Sequence, residues 1–118
     1  MCYIKKNKNG EMEVKLSLYL FEEDGQMHVY SPSLDLVGCG KTEKLALKSF
    51  LIVFKEYIRY TVENNTLKQD LEEHGWQVSG GYKSPSVEKM LKSNKELANI
   101  FKKPSYKKME MPYCYSRV

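Results

Sequence analysis

The chain has 118 residues, 42% of them hydrophobic, and a net charge of +4. That is enough for one compact core and short of the roughly 100–200 residues per domain that would call for two. No run reaches the roughly 18 apolar residues that span a bilayer, and the opening MCYIKKNKNG lacks the apolar stretch of a secretory signal, so the expectation is a soluble, cytoplasmic protein without a membrane partner.

The three cysteines, Cys2, Cys39 and Cys114, are odd in number and far apart. They form neither a disulfide framework nor a metal-binding pair, and free thiols are expected. Charge is unevenly placed: residues 80–118 hold nine Lys/Arg against three acids, leaving ten against twelve for residues 1–79. A weakly acidic body therefore precedes a basic tail.

In residues 12–22, MEVKLSLYLFE, Val14, Leu16, Leu18 and Leu20 alternate with Glu13, Lys15, Ser17 and Tyr19. This is the period of a half-buried strand, with the second set on a polar face. Asp24-Gly25 suits a tight turn, and QMHVYS resumes the strand pattern, which predicts a hairpin over 12–31. Pro32 ends that strand, and SLDLVGCG leaves room for a loop and a brief third strand.

Thr42 is placed to cap a helix over 43–63, in which Leu47, Phe50, Leu51, Phe54, Ile58 and Val62 recur every three or four residues. Ile52, Val53 and Tyr57 widen its apolar stripe, so the helix is either deeply buried or covered in part by a second subunit. A short helix over 67–73 and a strand over 76–79 follow, with Gly75 between them.

Beyond Gly80-Gly81, Ser84-Pro85-Ser86 starts a helical stretch that Ser93-Asn94 interrupts. Pro104 ends it, and Met109-Glu110-Met111 reads as a short extended piece. The expected fold class is α+β: a small antiparallel sheet of three to four strands with a long helix packed on one face. The expected division is a domain over 1–81 and a basic helical extension over 82–118.

The stretch LVGCGKT, Leu36 to Thr42, ends like a phosphate-binding loop. That motif needs a first glycine five positions before its Gly-Lys-Thr, and here Asp35 stands there. A carboxylate at that point repels phosphate, so nucleotide hydrolysis is set aside.

The wider stretch EEDGQMHVYSPSLDLVGCGKTEKLALKSF, residues 22–50, resembles the HicB-like antitoxin family. The resemblance rests on Asp24-Gly25, the strand Met27 to Tyr30, Pro32 and Leu34, Gly38-Cys39, Gly40-Lys41-Thr42, and Glu43 with Ala46. It implies a truncated RNase H-like sheet of ββαβ or βββαβ order with helices on one face, in which Pro32, Leu34, Gly38, Cys39, Gly40 and Thr42 are structural. It further implies a non-enzymatic homo-oligomer that binds and neutralises a small, basic, RNA-cleaving toxin of the HicA type. Such antitoxins commonly add a C-terminal DNA-binding motif, and residues 82–118 offer none.

A metal-dependent nuclease needs converging carboxylates. Glu11, Glu13, Glu22, Glu23, Asp24 and Asp35 fall at turns or on a solvated face, so no metal, cofactor or catalytic residue is expected. His28 and His74 have no neighbouring nucleophile and read as structural. The alternative function is nucleic-acid binding by the tail, where Lys102, Lys103, Lys107 and Lys108 with Tyr106 combine phosphate-contacting charge with a stacking ring.

Overall fold

The computed structural model describes residues 2–8, 10–78 and 80–115. Along the chain run β1 (Tyr3–Lys6), β2 (Met12–Glu23), β3 (Gln26–Ser31), β4 (Leu36–Gly40), α1 (Glu43–Glu63), α2 (Leu67–Glu73), β5 (Gln77–Val78), β6 (Tyr82–Lys83), α3 (Val87–Ser93), α4 (Lys95–Phe101) and β7 (Lys107–Tyr115). The architecture is α+β. Among the described residues one sheet holds seven strands, paired antiparallel, in place of the expected three or four.

β2 is the strand that organises the rest. At roughly 3.4 Å per residue its length is about 40 Å, which matches the 41 Å long axis of the molecule. It pairs with β1 over Met12–Lys15 and with β3 over Tyr19–Glu23, while β7 pairs with it from Met12 to Leu20. A strand has two edges, so β1 and β3 lie end to end along one edge of β2 and β7 takes the other. Cys2, just before β1, reaches into the interval on the shared edge: the Ser17 amide donates to its buried Sγ at 3.0 Å.

The β2–β3 hairpin forms as its sequence dictates. Glu23 pairs with Gln26 across a two-residue loop in which Asp24 (φ 54°) and Gly25 (φ 78°) both take the left-handed conformation. α1 starts at Thr42, whose hydroxyl accepts from the Leu45 amide at 3.2 Å, and its bounds match the expected 43–63. Ala46, Phe50, Phe54, Ile58 and Val62 bury against Leu16, Leu18, Leu20 and Val29 of the sheet. Phe50 and Phe54 stack, and Phe54 meets Tyr113 of β7 edge-on at 5.2 Å. Each buried ring contributes about 1.5–3 kcal/mol.

The second face of the sheet departs from expectation. Ser17 and Tyr19, read as polar-face residues, are buried, as is Phe21. Tyr19, Phe21 and Tyr30 form a second core with Met90, Leu97 and Ile100 of α3 and α4. Helices therefore cover both faces, not one. Tyrosine carries an apolar ring as well as a hydroxyl, so alternation alone misplaced it.

Two strands also differ. Trp76 to Ser79 was expected as a strand; β5 keeps only Gln77–Val78, Trp76 is buried with its indole N–H donating to the Ser33 carbonyl at 2.7 Å, and Ser79 lies outside the described residues. The short piece at Met109–Met111 grows into the nine-residue β7, so the segment expected to be helical supplies a full sheet strand as well as α3 and α4. Residues 116–118 of that segment also lie outside the described residues.

Candidate interaction surfaces

The motif residues build the junction of β3, β4 and α1. Pro32 and Leu34 are buried in the four-residue loop between the Ser31–Leu36 pair. Gly38 and Gly40 lie where α1 crosses β4: a Cβ on Gly38 would sit 2.3 Å from the Phe50 nitrogen, and one on Gly40 would sit 2.7 Å from the Leu45 Cβ. These glycines serve close backbone approach. Cys39 faces solvent, and its amide donates to the Ser49 hydroxyl at 3.3 Å.

Asp35, at the failed phosphate-loop position, holds φ 56° and accepts the Tyr30 hydroxyl at 2.9 Å. Asn94 in turn donates from Nδ2 to the Tyr30 oxygen at 2.9 Å. Burial pushes the Tyr30 hydroxyl up to about 12; the Asn94 donor opposes the rise and the Asp35 acceptor adds to it. This triad borders an open groove of about 680 Å³ that His74, Lys89 and Glu96 also line. Sequence reasoning missed it, and the available signal was Asn94, the residue that breaks the helical period.

The basic candidates gather where α4 leads into β7. Lys102 caps the end of α4 and Lys108 is exposed on β7. Lys103 pairs with Glu23 at 3.8 Å and lies over the Phe21 ring; Lys107 pairs with Glu43 at 2.9 Å. Tyr106 packs its ring against Phe101 and Tyr19 at centroid distances of 5.3 and 6.4 Å. Two of the four cations and the ring thus have partners within the chain.

The acidic and histidine candidates stay dispersed. Among the described residues no three His, Cys, Asp or Glu side chains group as a metal site would require. Glu13 pairs with Lys5 at 3.7 Å. His28 stacks on Phe21 at 5.3 Å, and His74 bonds through Nδ1 to the Asp70 carbonyl at 2.8 Å, closing α2. Tyr57, expected to widen the apolar stripe, packs against the core and also donates its hydroxyl to the Asp70 carboxylate; burial and that acceptor raise its pKa.

Four of the large exposed apolar residues lie on α1, while Val37 lies on the opposite face of the sheet and Val78 and Tyr106 lie elsewhere. Leu45 is 50% exposed, Ile52 63%, Val53 37% and Tyr60 59%, with Val37 of β4 at 52%. Among the described residues no helix is long and apolar enough to cross a membrane. No family model, curated protein or solved structure matches the chain.

Proposed function

We propose that this chain is a non-enzymatic partner-binding protein of the HicB-like antitoxin kind, whose partner is a small basic RNA-cleaving toxin. The observation that supports it is how the surface is divided. Tyr30, Tyr57, His74 and Asp70 are tied into internal bonds, while α1 carries the bare apolar side chains Leu45, Ile52, Val53 and Tyr60 on its outer side. Apolar groups gathered on one surface are the mark of a protein-binding site. The resemblance names the partner class, and the residues that carry it include the Thr42 cap of α1 and the two glycines on which that helix rests. The net negative charge of residues 1–79 suits a basic partner.

The test is a pull-down of the tagged chain from its native host at moderate salt. The expected eluate holds a stoichiometric basic protein of under about 100 residues that cleaves RNA alone and is silent in the complex, with capture reduced by Ile52→Glu. An eluate rich in nucleic acid and free of protein would overturn the reading in favour of the tail. The tail reading has weaker support, since Lys103, Lys107 and the Tyr106 ring are engaged internally.

A further inference from the structure

A groove at one end of the sheet has a chemistry of its own. The pairings of β1, β2 and β7 set Lys6, Met12 and Tyr115 in one row across the three strands. Each stands two residues from Ile4, Val14 or Tyr113, so the row continues the face that α1 covers. α1 ends at Glu63, and its link to α2, with Asn65 in the left-handed conformation (φ 54°), borders this last row instead. Between row and link lies a groove of about 440 Å³, which Lys68 of α2 and Tyr82 of β6 also line. Tyr82 stands opposite Ile4 and so belongs to the same face.

The lining is one-sided in charge. Among the described residues that line the groove, Lys6 and Lys68 are cations and none is an acid. Both lysines are exposed, and among the described residues neither has an acid partner. The acids nearby are engaged or turned away. Glu63 bonds Arg59 at 2.9 Å, Glu11 bonds Asn7 at 3.4 Å, and Glu13, next to Met12 on the strand, takes the other face and pairs with Lys5 at 3.7 Å. Glu72, one turn along α2 from Lys68, neither lines the groove nor pairs with that lysine.

Two lysines without acids suit a doubly charged anion, the charge of a phosphate monoester. The tyrosine rings and the Met12 thioether suit a flat aromatic group beside it. One pair of cations and a groove of this size match one phosphate and one base. We propose that this groove binds a nucleoside monophosphate as a free small molecule, its phosphate on Lys6 and Lys68 and its base against Tyr115 and Met12. The site uses none of the exposed apolar residues of α1, so its test and that of toxin capture are independent.

The experiment is a heteronuclear NMR titration of the isotope-labelled full-length chain, in which the spectrum of each variant also serves as its folding control. Adenosine monophosphate is expected to bind with a Kd below about 1 mM, and adenosine or inorganic phosphate alone about tenfold more weakly or worse. Lys6→Ala and Lys68→Ala are each expected to weaken the nucleotide about tenfold and to leave adenosine unchanged. Tyr115→Leu is expected to weaken nucleotide and adenosine alike. A spectrum that does not move at about 10 mM nucleotide overturns the proposal, as does a nucleotide affinity that both lysine variants leave unchanged. An end-phosphorylated RNA hexamer that binds this groove more tightly than the nucleotide overturns the assignment to a free small molecule.

Discussion

At Gly38 a single hydrogen stands where any side chain would strike the α1 backbone, 2.3 Å from the Phe50 nitrogen. Gly38→Ala must push α1 off β4 and is expected to cost about 1–3 kcal/mol, as other overpacking changes do; an unchanged urea midpoint would mean that α1 does not lie that close. Tyr30 offers a pH test. Its folded-state pKa of about 12 stands above the unfolded value near 10. The stability it contributes is therefore complete below pH of about 10 and is lost as pH rises through about 12. Alkaline titration followed by phenolate absorbance should show a late-ionising group that Tyr30→Phe removes.

Between α3 and α4 the link is one residue. Asn94 closes α3 with its amide on the Met90 carbonyl and opens α4 with its side-chain oxygen, which accepts from the Leu97 amide at 3.1 Å. Its Nδ2 also holds Tyr30, so Asn94→Ala removes a cap and a cross-link together. The expected loss is about 1–2 kcal/mol, read as a fall in thermal midpoint, with Asn94→Asp intermediate because it keeps the cap and loses the donor. Sequence made some elements plain and hid others for physical reasons. The β2–β3 hairpin and α1 were legible because Asp24-Gly25, Thr42 and the spacing of Phe50, Phe54 and Ile58 are local signals. β1 has four residues with a single fully buried side chain, Ile4, and β7 carries Pro112, which on its face argues against a strand; β7 is held by pairing with distant β2, and β1 by β2 on one side and distant β6 on the other. Pro112 is tolerated because β7 is an edge strand. The apolar strip of α1 is half legible: Ile52 and Val53 widen the stripe in the sequence, while Leu45 and Tyr60 are not singled out by it.

Over the whole molecule the charge asymmetry of the sequence is blunted by folding. The tail lysines come to rest beside acids of the body, Lys103 against Glu23 and Lys107 against Glu43, and Lys15 pairs with Glu110 of β7 at 2.9 Å. That contact raises the Lys15 pKa and lowers that of Glu110. The expectation is that RNA is not retained at physiological salt in a mobility-shift assay. A complex that weakens steeply with salt, and that Lys102→Ala with Lys108→Ala abolishes, would reverse this in favour of tail binding.

β2 also sets a timetable. Its residues Leu16 to Phe21 are buried on both faces, yet one of its edges is completed only by β7, where Met12 meets Tyr115. During synthesis, at about 5–20 residues per second, that strand leaves the ribosome several seconds before its last neighbour. For that interval it is an apolar strand with an open edge, the kind of segment that recruits other chains. Final closure of the sheet thus waits for β7, and the long sequence separation from β2 places refolding on the slower, millisecond-to-second side of small-domain kinetics.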